Sequence, residues 1–522
     1  MRRYTQAAGI FIILLATAWF AILLTSQTHV HSDEAIIGLM GKHILEGRYL
    51  PFYMYGQPYN AGAAWEAYLA AAAFAIFGIS VISLKSCIVV LSLLCIFLFY
   101  RMCLALYDER TSLLATILFA LAPSLLKWHF QVRGYSWYFL SIPVLTMLFA
   151  SIESAGDAKR KTVFFFGLAC GISVWCLELA IPLVGALWML LVLRRRFSLA
   201  TAAVGLLGFV IGYTPVIAFN CTHHFGNWRY VFIERLGGGF SSLLHLSVFA
   251  RIFVNEMPKF FGPDTILWYY PETPAVGYLF YGIALLAVGM AMWPFARSPL
   301  KIIRALRGDL SDQAQKRDFD MLVLTAASFV PYLTQPLGVP SYFFGGCFFL
   351  SVLTGRMLQR LFSSSRTLPQ LIGVGALSTI LVAAVAVMIR VGRQNQIETL
   401  CLCKDGKNYC MTRIPGADIE GVERYLRQHR MTSVWTTISF VYPFLFESGE
   451  TVAISNAIFE YPHRVYPQKI PWREPNLDAD AAFIIETDSP FRSELEAHYV
   501  QAFGRAPLIN EFGKLTLVAK QE

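Results

Sequence analysis

The chain has 522 residues, 56% of them hydrophobic, 15% aromatic and only 15% charged, against about 25% charged in soluble domains. With a mean hydropathy of +0.52, this excludes a disordered, collagen-like or ordinary cytosolic chain. The formal net charge of +9 by itself points to nucleic acid or an anionic membrane as partner, and ten cysteines in this length are too few for a disulfide scaffold.

A helix needs about 20 mostly apolar residues to cross a bilayer. Such stretches recur at 8–25, 84–106, 111–127, 135–152, 162–177, 180–193, 198–219, 274–295, 319–334, 341–361 and 368–390, so about eleven transmembrane spans are expected. The sixth is short, hence tilted or partly re-entrant. The first follows Met1-Arg2-Arg3 in the manner of a signal peptide, but no small-residue cleavage site lies between Thr25 and Asp33. It reads as a retained anchor.

Segment 63–77 is also apolar, yet it carries Trp65, Glu66 and Tyr68; counted as a span, it would invert everything downstream. Laid along the surface as an amphipathic helix, it leaves nineteen Lys and Arg residues in the loops and adjoining span ends of one side and nine in those of the other, where the loops are longer. The positive-inside bias then predicts a cytoplasmic amino terminus and an external carboxyl terminus. The net charge becomes an orientation signal, and nucleic acid drops out as a partner. The expected organisation is an α-helical polytopic membrane domain over 1–390, with outer loops 26–83 and 220–273, followed by a soluble α/β domain over 391–522.

In that tail the pattern predicts helix 417–429, strand 433–437, helix 440–447, strands 451–454 and 481–486, helix 490–499 and strand 514–519. Such alternation suggests a mainly parallel sheet. Cys401, Cys403 and Cys410 flank a turn-like Lys404-Asp405-Gly406-Lys407-Asn408, where one pair closing a small hairpin loop suits an oxidising compartment.

The segment after the first span carries the most chemistry. It reads Ser32-Asp33-Glu34-Ala35, then Gly38, Gly41 and Gly47, then Tyr53-Met54-Tyr55-Gly56-Gln57-Pro58-Tyr59, and Phe77-Gly78 ahead of Lys85. Helix chemistry alone accounts for the acids, with Ser32 as N-cap and two carboxylates in the first turn facing the positive end of the dipole. Two adjacent carboxylates just outside a first span, ahead of a Gly- and Tyr-rich interfacial segment, form a more specific pattern. On these residues the sequence resembles the GT-C membrane glycosyltransferases, in particular the family 39 group that includes the protein O-mannosyltransferases and the lipid A aminoarabinose transferases. The likeness runs over about residues 1–360 and is strongest in the first hundred.

The resemblance implies interfacial helices over a cavity open to the outer leaflet of a bacterial inner membrane, and a sugar donor carried on polyprenyl phosphate. It also implies that Asp33 is the catalytic base, with Glu34 orienting beside it. The chemistry agrees, because an acceptor hydroxyl needs a positioned carboxylate to take its proton, whereas a phosphate leaving group is met by cations and backbone donors. Asp33 acting alone implies an inverting displacement. Lys85 and Arg133, the latter in Gln131-Val132-Arg133-Gly134-Tyr135, are the candidate phosphate partners; the alternative for each is a side chain reaching to headgroups.

Tyr55, Gln57, Tyr59 and Tyr135 join them as candidate substrate contacts. Glu178, near membrane depth, either lines the cavity or caps a helix end in interfacial water. In loop 220–273, Trp228, Arg229, Arg235, Gly237-Gly238-Gly239 and Trp268-Tyr269-Tyr270 are a candidate wall for the acceptor, which is a lipid, a polysaccharide or a protein. His29 with His31 and His223 with His224 are candidate ligands for a divalent metal, but neither pair is a complete set, so a metal is not favoured and no cofactor is assigned.

The chain departs from the aminoarabinose transferases in lacking their acidic residue near Arg133-Gly134-Tyr135 and their Lys near Trp175-Cys176-Leu177-Glu178, and it has Pro340-Ser341-Tyr342 where many members carry Arg-Tyr. Transfer of aminoarabinose to lipid A therefore does not follow. The competing reading is a transporter or flippase of a lipid-linked substrate. It predicts repeated halves and charged or broken helices at mid-membrane, and the sequence shows neither.

Overall fold

Each expected span falls on a helix except the third, which breaks after Ala120. The computed structural model describes residues 2–521, apart from positions 56, 156–158, 197, 236–250, 263–274, 334–339, 394–395, 403–408, 432, 437, 457–481 and 490–491. Helix α1 (Arg2–Ser26) leads into α2 (Ser32–Leu45) and α3 (Ala61–Phe77). Then come α4 (Val81–Leu106), α5 (Glu109–Ala120), the short α6 (Pro123–Leu126), α7 (Ser136–Ser154), α8 (Arg160–Cys176), α9 (Ile181–Leu193) and α10 (Leu199–Thr222). After the second long loop follow α11 (Ala275–Ala296), α12 (Leu300–Arg307), α13 (Gln313–Leu333), α14 (Phe344–Phe362) and α15 (Thr367–Arg393).

Among the described residues six helices are long and apolar enough to cross a membrane, namely α1, α4, α7, α10, α11 and α15. The other five expected spans are shorter or carry charge. The third stops at Ala120 because Pro123 cannot continue it. Helices α13 and α14 carry charges that pair at the end of the bundle remote from α2: Arg360 with Asp318, and Arg194 with Glu153 and Asp320. Elsewhere, glycines let helices touch. A Cβ on Gly167 or Gly171 of α8 would meet the backbone of α10 at Gly205 and Phe209, a close approach in which packing replaces the hydrophobic effect.

The tail opens with an antiparallel hairpin of β1 (Gln396–Leu402) and β2 (Tyr409–Pro415), whose register sets Cys401 opposite Cys410. Cys403 lies outside the described residues. Next come α16 (Gly416–Gln428), β3 (Ser433–Thr436), α17 (Ile438–Glu447), β4 (Ala453–Asn456), β5 (Ala482–Glu486), α18 (Arg492–Phe503), β6 (Leu508–Phe512) and β7 (Leu515–Ala519). The sheet order is β4-β3-β5-β7-β6. It is mixed rather than mainly parallel: β3 runs parallel to β4 and β5, but β7 is antiparallel to β5 and β6. The cause is local, since Gly513 at φ +60° turns β6 straight back into β7, and a tight turn joins only antiparallel strands.

The tail is pinned to α2. Phe446 of α17 fills the space over Gly38, where a Cβ would lie 2.6 Å from its ring. Glu450 is ion-paired with Lys42, and its other oxygen lies 3.1 Å from His43 Nε2. Two residues from the helix start, the Val30 amide donates to Glu447 at 3.3 Å. Burial alone would raise the Glu450 carboxyl, but hydrogen bonds from His43 and Lys42, with their charge, hold it down at about 2. A depressed carboxyl contributes stability above its ordinary value of 4.5 and loses it as pH falls through about 2. Glu450→Gln is therefore expected to lower the thermal midpoint at pH 7, and the gap from the natural protein should close between pH 4.5 and 2. A gap constant over that range would contradict this account of the joint.

Candidate active site

The start of α2 is built by its own sequence. His31, not Ser32, is the N-cap: its Nδ1 accepts the Asp33 amide at 3.3 Å, while Glu34 Oε2 accepts the His31 amide at 3.0 Å. This reciprocal capping box puts Ser32 in the first turn and fixes where Asp33 and Glu34 emerge. The two acids then diverge. Asp33 is half-buried, while Glu34 is only 2% exposed.

Glu34 is wholly committed to protein partners. Its Oε1 accepts the Val132 amide at 3.1 Å, and its Oε2 lies 3.4 Å from Lys85 Nζ. Lys85, at 2% exposure, also reaches Gln27 Oε1 at 3.4 Å. The lysine expected to hold a phosphate therefore neutralises Glu34 at the start of α4. Through Val132, the same carboxylate sets the Asp33 turn beside the loop that carries Arg133.

Arg133 is half-buried, with its guanidinium 5.2 Å from the Trp128 ring centre, a cation–π placement. Its Nε is buried without a hydrogen-bond partner among the described residues. Tyr135 packs edge-on against Trp128 at 4.9 Å. The loop's backbone hangs from α3 and its approach: Asn60 Nδ2 donates to the Arg133 carbonyl at 3.2 Å, and Glu66 accepts the Gly134 and Ser136 amides at 2.7 and 3.0 Å. Gly134 sits at φ +82°, and a Cβ there would lie 2.7 Å from the Ala63 nitrogen. Only glycine fits.

A second group forms around Glu178, which lies in the 3-10 turn Glu178–Ala180 between α8 and α9. Asn227 bridges it to the first loop, donating to Glu178 Oε1 at 3.1 Å and to the Pro58 carbonyl at 2.7 Å. Tyr59 stacks on Tyr230 with ring centres 4.2 Å apart and planes 3° apart. Burial, then the charge of Glu178, pushes the Tyr53 phenol above its ordinary range. Trp228 joins through Nε1, which donates to Tyr213 at 3.2 Å.

The structure thus brings Asp33, Glu34, Lys85, Arg133 and Tyr135 together, and sets Tyr59 with Glu178. Tyr55 points elsewhere: its hydroxyl lies 3.0 Å from His43 Nδ1, in the chain of contacts that ends on Glu450. Gln57 is half-buried in the turn closed by its amide on the Met54 carbonyl. Of the expected acceptor wall, Gly237-Gly238-Gly239 and Trp268-Tyr269-Tyr270 lie outside the described residues, as does Gly56. Sequence reasoning missed Asn60, Glu66, Asn227 and Glu450, whose partners are all remote in the chain.

No protein-family model matches the sequence, and no curated protein matches it. The folded chain is similar to ArnT from Cupriavidus metallidurans bound to undecaprenyl phosphate, at 13% identity and a TM-score of 0.61 over 98% of both chains. The apo state of that protein gives 12% identity and a TM-score of 0.59 over the same shares. The Archaeoglobus fulgidus oligosaccharyltransferase in complex with Zn and sulfate gives 10% identity and a TM-score of 0.52, over 94% of this chain and 70% of that one. The likeness is one of fold: the chain shares the GT-C-type helical architecture of these proteins.

Proposed function

We propose that the chain transfers a sugar from a polyprenyl-phosphate donor to an acceptor at the periplasmic face of a bacterial inner membrane. The observation that carries this reading is the Glu34 bridge, which sets a half-buried carboxylate, Asp33, beside a loop presenting Arg133. The similarity in fold to a protein bound to undecaprenyl phosphate supports the lipid-linked donor.

In the proposed reaction the acceptor oxygen bonds to the anomeric carbon as the bond from that carbon to the phosphate oxygen breaks. The acceptor proton passes to Asp33, and the electron pair leaves with the polyprenyl phosphate. Charge developing on the phosphate is met by Arg133, while Lys85 cancels the charge of Glu34, which would otherwise oppose a phosphate. No general acid is required. A single displacement inverts the anomeric configuration. Tyr59, Tyr230 and Glu178 form the side of the site suited to a sugar or the acceptor, since aromatic faces stack on sugar rings and a carboxylate accepts hydroxyl protons.

The chemistry admits a hexose or a pentose, and a lipid, glycan or protein acceptor. Mass spectrometry of envelope lipids and glycans, comparing cells with and without the chain, is expected to show one species shifted by a single sugar residue, with the unmodified acceptor accumulating in its absence. Identical envelopes would count against the reading. A flippase would instead require a membrane, so transfer by the detergent-purified protein separates the two hypotheses.

A further inference from the structure

We infer that Glu66 is a positioning residue for the phosphate-binding loop, holding the Gly134 and Ser136 amides so that Arg133 is presented to the donor; the inference rests on the phosphate role proposed above for Arg133. Glu66 lies on α3, outside the residues so far given a part in the reaction. It is 1% exposed, and its two oxygens are taken by backbone amides at 2.7 and 3.0 Å. Burying a carboxylate is costly unless its acceptor capacity is used, and here that capacity is directed at one short loop.

The loop is held on both sides of Arg133. The Val132 amide goes to Glu34, the Arg133 carbonyl accepts from Asn60, and the Gly134 amide goes to Glu66. The peptides flanking the arginine are thereby fixed, which leaves its side chain as the part free to answer a ligand. No described residue takes its buried Nε, so the hydrogen-bonding capacity of the guanidinium is not used up within the protein. A simpler role is also visible. Ser136 begins α7, Tyr135 at the N-cap provides no side-chain cap, and a carboxylate at that end satisfies an orphan amide and the dipole. Capping alone predicts lost stability without lost phosphate recognition, so the two roles separate by experiment.

The test compares undecaprenyl phosphate with undecaprenol, which share a tail and differ in the phosphate, by competition binding to the purified full chain in nanodiscs. The natural protein should prefer the phosphate form, and Arg133→Gln should lose that preference. Glu66→Gln should lose about tenfold of it, as expected for a charge-assisted hydrogen bond, with undecaprenol binding unchanged. Glu66→Asp should fall between the two. Combining Glu66→Gln with Arg133→Gln should cost nothing beyond Arg133→Gln, because both act through one contact.

A Glu66→Gln variant that keeps the natural preference while Arg133→Gln loses it would overturn the positioning role and leave the proposed function standing. No phosphate preference in the natural protein would instead remove the role of Arg133, and this inference with it. If Glu66→Gln does not fold, Glu66→Asp decides: a lower thermal midpoint with undiminished preference marks a cap only. Failure of both to fold would likewise mark a packing residue and overturn the inference.

Discussion

Asp33→Asn is expected to lower sugar transfer at least about a hundredfold, with donor binding nearly unchanged. Asparagine has the size and hydrogen-bonding reach of aspartate but cannot take a proton, and a positioned general base contributes about 10²–10⁴-fold. The position is held from the backbone, by its own amide on His31 and by the Glu34 bond to the His31 amide, so α2 should keep its start. The measurement is the initial rate of product formation at saturating donor, beside a binding measurement on the same preparation. An Asp33→Asn protein with more than a tenth of the natural rate would remove the base role from Asp33.

Glu34→Gln is expected to have the largest effect on stability. It leaves Lys85 buried at 2% exposure with no carboxylate, and breaking a buried ion pair on one side costs about 3–5 kcal/mol. The change also weakens the anchor of Val132, so transfer should fall with stability. The double variant Glu34→Gln/Lys85→Met removes both charges and should regain most of the stability, because a buried pair is often replaceable by apolar residues. Transfer should not return with it, because the anchor of Val132 stays weakened. Thermal unfolding and transfer rate across the four proteins of this cycle separate the ion pair from the anchor; full recovery of transfer in the double variant would remove the bond from the Val132 amide to Glu34 from the positioning of the site.

The spans were legible because a membrane crossing imposes a length and a composition on contiguous residues. The Asp33-Glu34 pair was legible for a similar reason, as its signal is confined to one turn of helix. The partners that build the site were not. Glu66 reaches amides 68 and 70 residues away, Asn60 a carbonyl 73 residues away, and Glu450 a lysine 408 residues away. No periodicity records such pairings.

Lys85 shows the same limit in another form. Its place at the start of a span suggested an outward-reaching cation, and only the fold reveals that Glu34 waits beside it. In the tail, β6 was missed because Leu508–Phe512 is half-exposed along most of its length and carries too weak an apolar pattern to stand out. That one strand is what turns the sheet from mainly parallel to mixed.

Donor chemistry is decided by incubating the detergent-purified chain with hexose- and pentose-linked polyprenyl phosphates and a set of lipid, glycan and peptide acceptors. One donor should be consumed, with polyprenyl phosphate and glycosylated acceptor formed in equal amounts and the anomeric configuration inverted by NMR. A folded protein that consumes none of these donors, or a product of retained configuration, would contradict the proposed reaction.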